Sequence, residues 1–162
     1  MTLSIRQATL ADLDTIVTIE ARCFPPAEAA TRASLTDRLL AFTTSFFVAE
    51  REGNIVGFIN GCITNQDTLT DDLYESTAKH DLTGSNMMVF GLDVLPEYQH
   101  QGIAQQLMGA YITAGRSMKK KSIILTCKER LIPFYEQFGY TCRGKSVSTH
   151  GGAMWYTMVL AL

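Results

Sequence analysis

The sequence predicts a single α/β domain, with a mixed central sheet of six or seven strands flanked by about four helices. Three observations carry this. The 162 residues, 46% hydrophobic and 19% charged, suit one domain with a sizeable core. Short apolar runs alternate along the whole chain with stretches of helical periodicity. One stretch, Phe90 to Tyr111, sets strand, turn and helix in immediate succession, and the other elements can be placed around it.

Ile5 to Ala8 reads as a short strand. Thr9 then caps a helix whose first turn holds Asp12 and whose buried face is Leu13, Ile16, Val17 and Ile19. That helix runs to about Arg22 and ends at Phe24-Pro25-Pro26, because consecutive prolines hold the chain extended. A second helix is expected over Ala33 to Phe42. Between them, Cys23 to Thr31 is stiff and apolar and carries one carboxylate, Glu28, which either lines a pocket or is solvated on a linker. Ser45 to Glu50 and Ile55 to Ile63 form a hairpin around the turn Arg51-Glu52-Gly53-Asn54. Asn65 to Ser85 is a polar, nonperiodic excursion in which Leu69, Leu73 and Tyr74 would anchor a short helix under Asp71 and Asp72.

An apolar strand over Met87 to Val94 stops near Leu95, since Pro96 cannot continue a ladder. The loop Gln99-His100-Gln101-Gly102 follows. Ile103, Leu107, Ala110, Tyr111 and Ala114 then mark the buried face of an amphipathic helix. A helix start has unpaired N–H groups and partial positive charge, so this loop is a candidate site for an anion such as a pyrophosphate. Gly102 and the small Ala104 leave the backbone approachable. Ser122 to Cys127 is the next strand. Pro133 opens a helix that Gly139 closes, and strands near Thr141 to Val147 and Ala153 to Leu160 flank His150-Gly151-Gly152.

Net charge of −2 and a pI near 5.9 argue against a nucleic-acid surface, and the one basic run, Lys119 to Lys121, is short. Met1 to Ala8 holds no apolar signal segment and no run approaches the ~20 residues of a membrane span, so the expected location is cytoplasmic with no membrane partner. Cys23, Cys62, Cys127 and Cys142 have no C-x-x-C spacing, which fits free thiols and no metal. His80, His100 and His150 sit in loops and form no triad with a serine or cysteine.

The lead-in Leu92-Asp93-Val94-Leu95-Pro96-Glu97-Tyr98 followed by Gln99-x-x-Gly102-x-Ala104 resembles the acyl-coenzyme A signature of the GNAT acetyltransferase superfamily. It departs from that signature at Gln99, where arginine is usual, and at Ala104, where glycine is commoner. The segment Pro133-Phe134-Tyr135-Glu136-x-Phe138-Gly139-Tyr140 resembles the helix that follows the coenzyme strand. Together with Thr126-Cys127, Asp67 to Leu73 and Glu20 to Phe24, it is most similar to the arylalkylamine N-acetyltransferase family, over nearly the whole chain.

The resemblance implies the GNAT fold, its sheet splayed to admit acetyl-coenzyme A as cosubstrate, and acetyl transfer to a primary amine by direct attack in a ternary complex. It places the coenzyme on Leu92, Asp93, Val94, Gln99, His100, Gln101, Gly102, Ile103, Ala104 and Gln105. The amine, a small molecule such as an arylalkylamine, would lie against Phe24, Pro25, Met88 and Phe90. In that family the tyrosine matching Tyr135 protonates the departing thiolate, which is sensible because phenol and thiol have pKa values of about 10 and about 8.5. Vertebrate members carry two histidines where this chain has Met88 and Phe90, so that relay is absent here and Glu28 is the candidate base. A polyamine or peptide acceptor, or a module that binds acyl-coenzyme A without transfer, are the alternatives, and a homodimer is the assembly to test.

Overall fold

The computed structural model describes residues 2–162 and contains two sheets. One has the order β1 (Leu3–Gln7), β2 (Phe46–Arg51), β3 (Asn54–Asn60), β6 (Gly91–Val94), all antiparallel. The other has the order β4 (Ile63–Thr64), β5 (Asn86–Val89), β7 (Ser122–Cys127), β9 (Tyr156–Ala161), β8 (Thr141–Lys145), and its β5–β7 pair is parallel. A parallel pair needs a crossover. Helix α4 (Ile103–Ser117) supplies it between β6 and β7 and packs on β1, β2, β3 and β6. On the opposite face lie α1 (Leu13–Cys23) and α2 (Arg32–Ala41), with α1 against β3 and β6. The short helices α3 (Asp71–Glu75) and α5 (Ile132–Glu136) complete the set.

Two cores follow from the period-2 alternation of strands covered on both faces. Met87, Val89, Ile123 and Leu125 join Leu107, Met108 and Tyr111 of α4. Met88, Ile124, Val48 and Phe58 join Ile16, Ile19, Leu35 and Leu39 of α1 and α2. The entry to α1 is capped as the sequence indicates: the Thr9 N–H donates to Asp12 at 2.8 Å, although Leu10–Asp12 form a 3-10 turn first. Arg6 donates to both Asp12 oxygens, at 2.8 and 2.9 Å. At α2 the Thr31 hydroxyl accepts from the Ser34 N–H at 3.1 Å, one residue earlier than the expected start.

The main difference from the sequence reading is that Met87 to Val94 is two strands in two sheets, broken at Phe90. On the β3–β4 side the ladder continues, because the Met88 and Phe90 N–H groups donate to Cys62 and Asn60 carbonyls at 2.8 and 2.7 Å. On the other side β7 follows only as far as the pair Val89–Leu125. Beyond it the two sheets part. The Tyr111 hydroxyl on α4 donates to the Met88 carbonyl at 2.6 Å and fixes the chain at the break. The expected hairpin strand Ile55 to Ile63 also divides, at Gly61 and Cys62. The last strands are shorter than expected at the loop between them: the Ser146 N–H donates to the Trp155 carbonyl at 2.8 Å as the last cross-strand bond, and His150–Gly152 beyond it form a 3-10 turn.

Gly61 lies against the same break. A Cβ there would come within 1.7 Å of the Met88 carbonyl oxygen, a backbone atom that cannot turn aside. Gly61→Ala is therefore expected to cost about 3 kcal/mol or more in stability. Urea unfolding of the variant beside the parent measures this, and a midpoint within 0.5 kcal/mol of the parent's would show that the break tolerates a side chain.

Candidate active site

The parting of the sheets leaves a cavity of about 770 Å³. Its floor is the free edge of β6. The Leu95 N–H donates to Val56 on β3, and antiparallel alternation then directs the Gly91 and Asp93 peptide groups to β3 as well. The Leu92 and Val94 peptides therefore face the opening. The Val94 carbonyl is partly used, accepting from Gln99 Nε2 at 3.0 Å and the Cys23 thiol at 3.4 Å.

One end of the cavity is the start of α4. Its first backbone bond runs from Gln106 to Gly102 at 3.1 Å, so the N–H groups of Ile103, Ala104 and Gln105 have no partner within the helix, and no acidic residue occupies the first turn. His100 and Gly102 both have positive φ, +62° and +83°, which curls the loop so that successive N–H groups converge. A Cβ at Gly102 would meet nothing within 4 Å, so within the protein its requirement is conformational rather than one of crowding. Gln99, His100, Gly102, Ile103, Ala104 and Gln105 line the cavity. Gln101 does not: its side chain accepts from Arg51 outside it. The polar reach expected of Gln99 is likewise spent on Val94.

At the other end stand Phe24, Pro25, Glu28, Phe90 and Tyr135, all lining the same space. Met88, expected beside Phe90, does not. Two residues apart on the strand, the pair shares one face, but Met88 is fully buried in the core under α1 and α2 while Phe90, at the break, reaches the opening. The Asp93 side chain is also turned away from the opening and is 1% exposed. Tyr135 lies edge-on between Phe134 and Tyr140, with ring centroids 5.1 and 5.8 Å away. Burial pushes its phenol well above the usual tyrosine range, Cys127, Tyr74 and Asp93 add to the shift, and no hydrogen bond counters it. The proton stays on the oxygen at any working pH.

Glu28 is held rather than solvated. Lys128 donates to its Oε2 at 2.9 Å, Oε1 is buried without a partner, and its backbone carbonyl meets His150 Nε2 at 2.8 Å. His150 in turn stacks on Tyr74 at 10° and 5.1 Å, and the Tyr74 hydroxyl bonds the Thr126 hydroxyl at 3.1 Å. The Trp155 indole N–H donates to the His150 carbonyl at 2.9 Å. Burial pushes the cavity-lining thiols of Cys23 and Cys127 up to about 11 and about 12, which leaves both as unreactive thiols.

Tyr74, Thr126, Lys128, His150 and Trp155 were not singled out as site residues from the sequence, because loops distant in the chain bring them together. Glu20 and Arg38 left a clearer trace. Each stands on the apolar face of its helix, Glu20 beside Ile16 and Ile19, Arg38 between Leu35 and Leu39, and each is almost fully buried. Arg38 donates to Asn60 Oδ1 at 3.4 Å and the Tyr74 carbonyl at 3.2 Å, and its guanidinium lies 4.8 Å from the centre of the Phe90 ring. Among the described residues no helix is long and apolar enough to cross a membrane.

Residues 13–140 match the acetyltransferase (GNAT) family. The chain is 31% identical over 145 residues, 83% of its length, to the probable hydrolase YhcX of Bacillus subtilis, of which it spans 27%. It is also 31% identical over 101 residues, 62% of its length, to serotonin N-acetyltransferase of Mesocricetus auratus, of which it spans 47%. It thus covers between a quarter and a half of the curated relatives it matches. Among solved structures it is similar to the GNAT-like decarboxylase GphF in complex with isobutyryl-CoA, with a TM-score of 0.85, 20% identity and 98% of both chains covered. The splayed sheet, the unpaired helix start and the family match agree: this chain is a member of the GNAT acetyltransferase family.

Proposed function

We propose that the protein transfers the acetyl group of acetyl-coenzyme A to a primary amine by direct attack within a ternary complex. The observation that carries this reading is the continuous run from the partnerless N–H groups of Ile103, Ala104 and Gln105, along the open peptides of Leu92 and Val94, to the chamber holding Tyr135 and Glu28. A pyrophosphate suits the first group and the pantetheine amides suit the second. The cosubstrate brings an activated thioester. The protein's share is to hold it straight, exclude water and move protons.

Tyr135 serves the leaving sulfur. A phenol this weakly acidic acts first as a hydrogen-bond donor to the developing thiolate, and complete proton transfer becomes favourable because the same burial raises the thiolate's own proton affinity. Glu28, fixed by Lys128 and with one oxygen unpartnered, takes the proton that an entering ammonium must lose before its nitrogen attacks. The acceptor end is bounded by Phe24, Tyr74, Phe90 and Trp155, aromatic walls that suit the flat side chain of an arylalkylamine. The identity with serotonin N-acetyltransferase over 62% of the chain supports the same choice. With Met88 buried and Phe90 in the wall, no imidazole relay enters the scheme.

The test is thiol release from acetyl-coenzyme A with a panel of arylalkylamines, polyamines and peptides. Release that depends on an arylalkylamine is expected. Release with no amine dependence, or loss of carbon dioxide from a carboxyacyl-coenzyme A instead, would contradict the proposal. Tyr135→Phe deletes only the hydroxyl and is expected to slow the single-turnover rate by roughly 10²- to 10⁴-fold while leaving melting temperature and coenzyme affinity near the parent's. A side chain that only packs would give the opposite pattern. Gly102→Val, at φ +83°, is expected to lower coenzyme A affinity at least about tenfold by calorimetry, since a β-branched residue resists that conformation and pulls the loop N–H groups out of line.

A further inference from the structure

Acetylation of an ammonium removes two protons from its nitrogen, and the scheme above gives a destination to the first alone. A second carboxylate lies at the reacting end of the cavity. Glu20 of α1 lines the cavity and is 6% exposed, and its Oε1 lies 3.8 Å from where a Cβ on Gly91 would stand. That places it directly beneath the break in the strand. Its Oε2 accepts the Ala30 N–H at 2.8 Å, leaving Oε1 toward Gly91.

Asp93 of β6 lies beside Glu20: its Oδ1 stands 3.0 Å from the same Cβ position on Gly91. It is 1% exposed, and both its oxygens are buried with no donor to bind. Two ionised carboxylates have only acceptors to offer each other, so one proton held between them turns repulsion into a charge-assisted hydrogen bond. Burial is the main force that raises the Asp93 carboxyl well above its usual range, and the charge of Glu20 follows. The buried guanidinium of Arg38 on α2 opposes this. Around them stand Cys23 on α1, Cys62 after β3 and Tyr74 on α3, each protonated at neutral pH, their groups pushed up by burial to about 11, about 12 and about 12. Of the two, Asp93 is the group that burial keeps protonated, and Glu20 is the one with a face on the cavity.

We infer that Glu20 is a second catalytic carboxylate, which takes the proton leaving the attacking nitrogen, with Asp93 as the positioning residue that shares its own proton with it. The step rests on the acetyltransferase reading and balances as follows. The neutral nitrogen forms its bond to the acetyl carbon, that nitrogen gives a proton to Glu20 Oε1, the carbon–sulfur bond breaks, and the sulfur takes the proton of Tyr135. Amide and thiol leave. Glu20 then returns its proton to water and the tyrosinate takes one back, so the net release is the single proton removed from the ammonium.

Glu20→Gln keeps an acceptor for the Ala30 N–H and puts an amide where the proton would go. It is expected to lower the single-turnover rate by roughly 10²- to 10⁴-fold, with the acetyl-coenzyme A dissociation constant within about threefold of the parent's. Asp93→Asn keeps a donor to Glu20, but a weaker one, so the acid limb of the pH–rate profile should move to higher pH. A readout without any ligand accompanies these. A carboxyl raised on folding binds more protons folded than unfolded, so the parent loses stability as pH climbs above the unfolded carboxyl value of about 3.9. Asp93→Asn lacks that loss. Its melting temperature relative to the parent's should therefore rise between pH 5 and pH 8. A folded Glu20→Gln enzyme working at the parent rate, or melting curves that stay parallel across that range, would overturn the inference. A parent protein that transfers no acetyl to any amine would instead sink the acetyltransferase reading, and the ligand-free melting curves would still decide whether the pair shares a proton.

Discussion

The hydrogen bond from the Tyr111 hydroxyl to the Met88 carbonyl, with Gly61 pressed against the same oxygen, fixes the place on which the rest of the molecule depends. There one strand leaves the β7 sheet and the next joins the β3 sheet. A regular strand would have kept Leu92 and Val94 paired on both sides and closed the molecule. Because it breaks, the Leu92 peptide and the Val94 N–H stay without a strand partner toward a cavity, and the start of α4 brings further N–H groups to one end of it. In the protein alone, buried or half-buried backbone donors without partners are a cost. A ligand with carbonyl, amide and phosphate oxygens at matching intervals removes that cost, which links the local defect to the proposed cosubstrate.

Charge is distributed around the break with the same economy. Arg38, Glu20 and Asp93 are buried together beneath Phe90 and Gly91, while Lys128 and Glu28 pair nearer the surface. Buried ionisable groups seldom contribute to stability as well as apolar ones of the same volume would. Their presence at one end of one cavity points to chemistry that has to move protons. Cys62 and Cys127 show the contrast: burial is the main force that raises them, and they serve as small apolar side chains.

Much of this was legible in the chain itself. Thr9 and Asp12, the amphipathic face from Ile103 to Ala114, and Pro133 act locally, so cap, helix and turn follow from residues a few positions apart. The turn into α4 was readable for the same reason, since Gly102 and the helix start are adjacent. Two features escaped. Met87 to Val94 reads as one uninterrupted apolar strand because both its halves are covered on both faces, and nothing local distinguishes a strand that changes sheets from one that does not. One wall of the cavity escaped because Tyr74, Thr126 and His150 come from segments dozens of residues apart. Met88 was set beside Phe90 by the resemblance, but it lies in the core under the helices while Phe90 stands at the break, whereas Glu20 and Arg38 were marked by charges on faces that helical period assigns to the core.

Amide hydrogen exchange of the protein with and without coenzyme A tests most directly whether the break builds the coenzyme site. The amides of Leu92, Val94, Ile103, Ala104 and Gln105, which have no partner across a strand or within the helix, should gain protection together when the ligand is added. Protection confined to other segments, with these five amides exchanging as fast as before, would contradict the account.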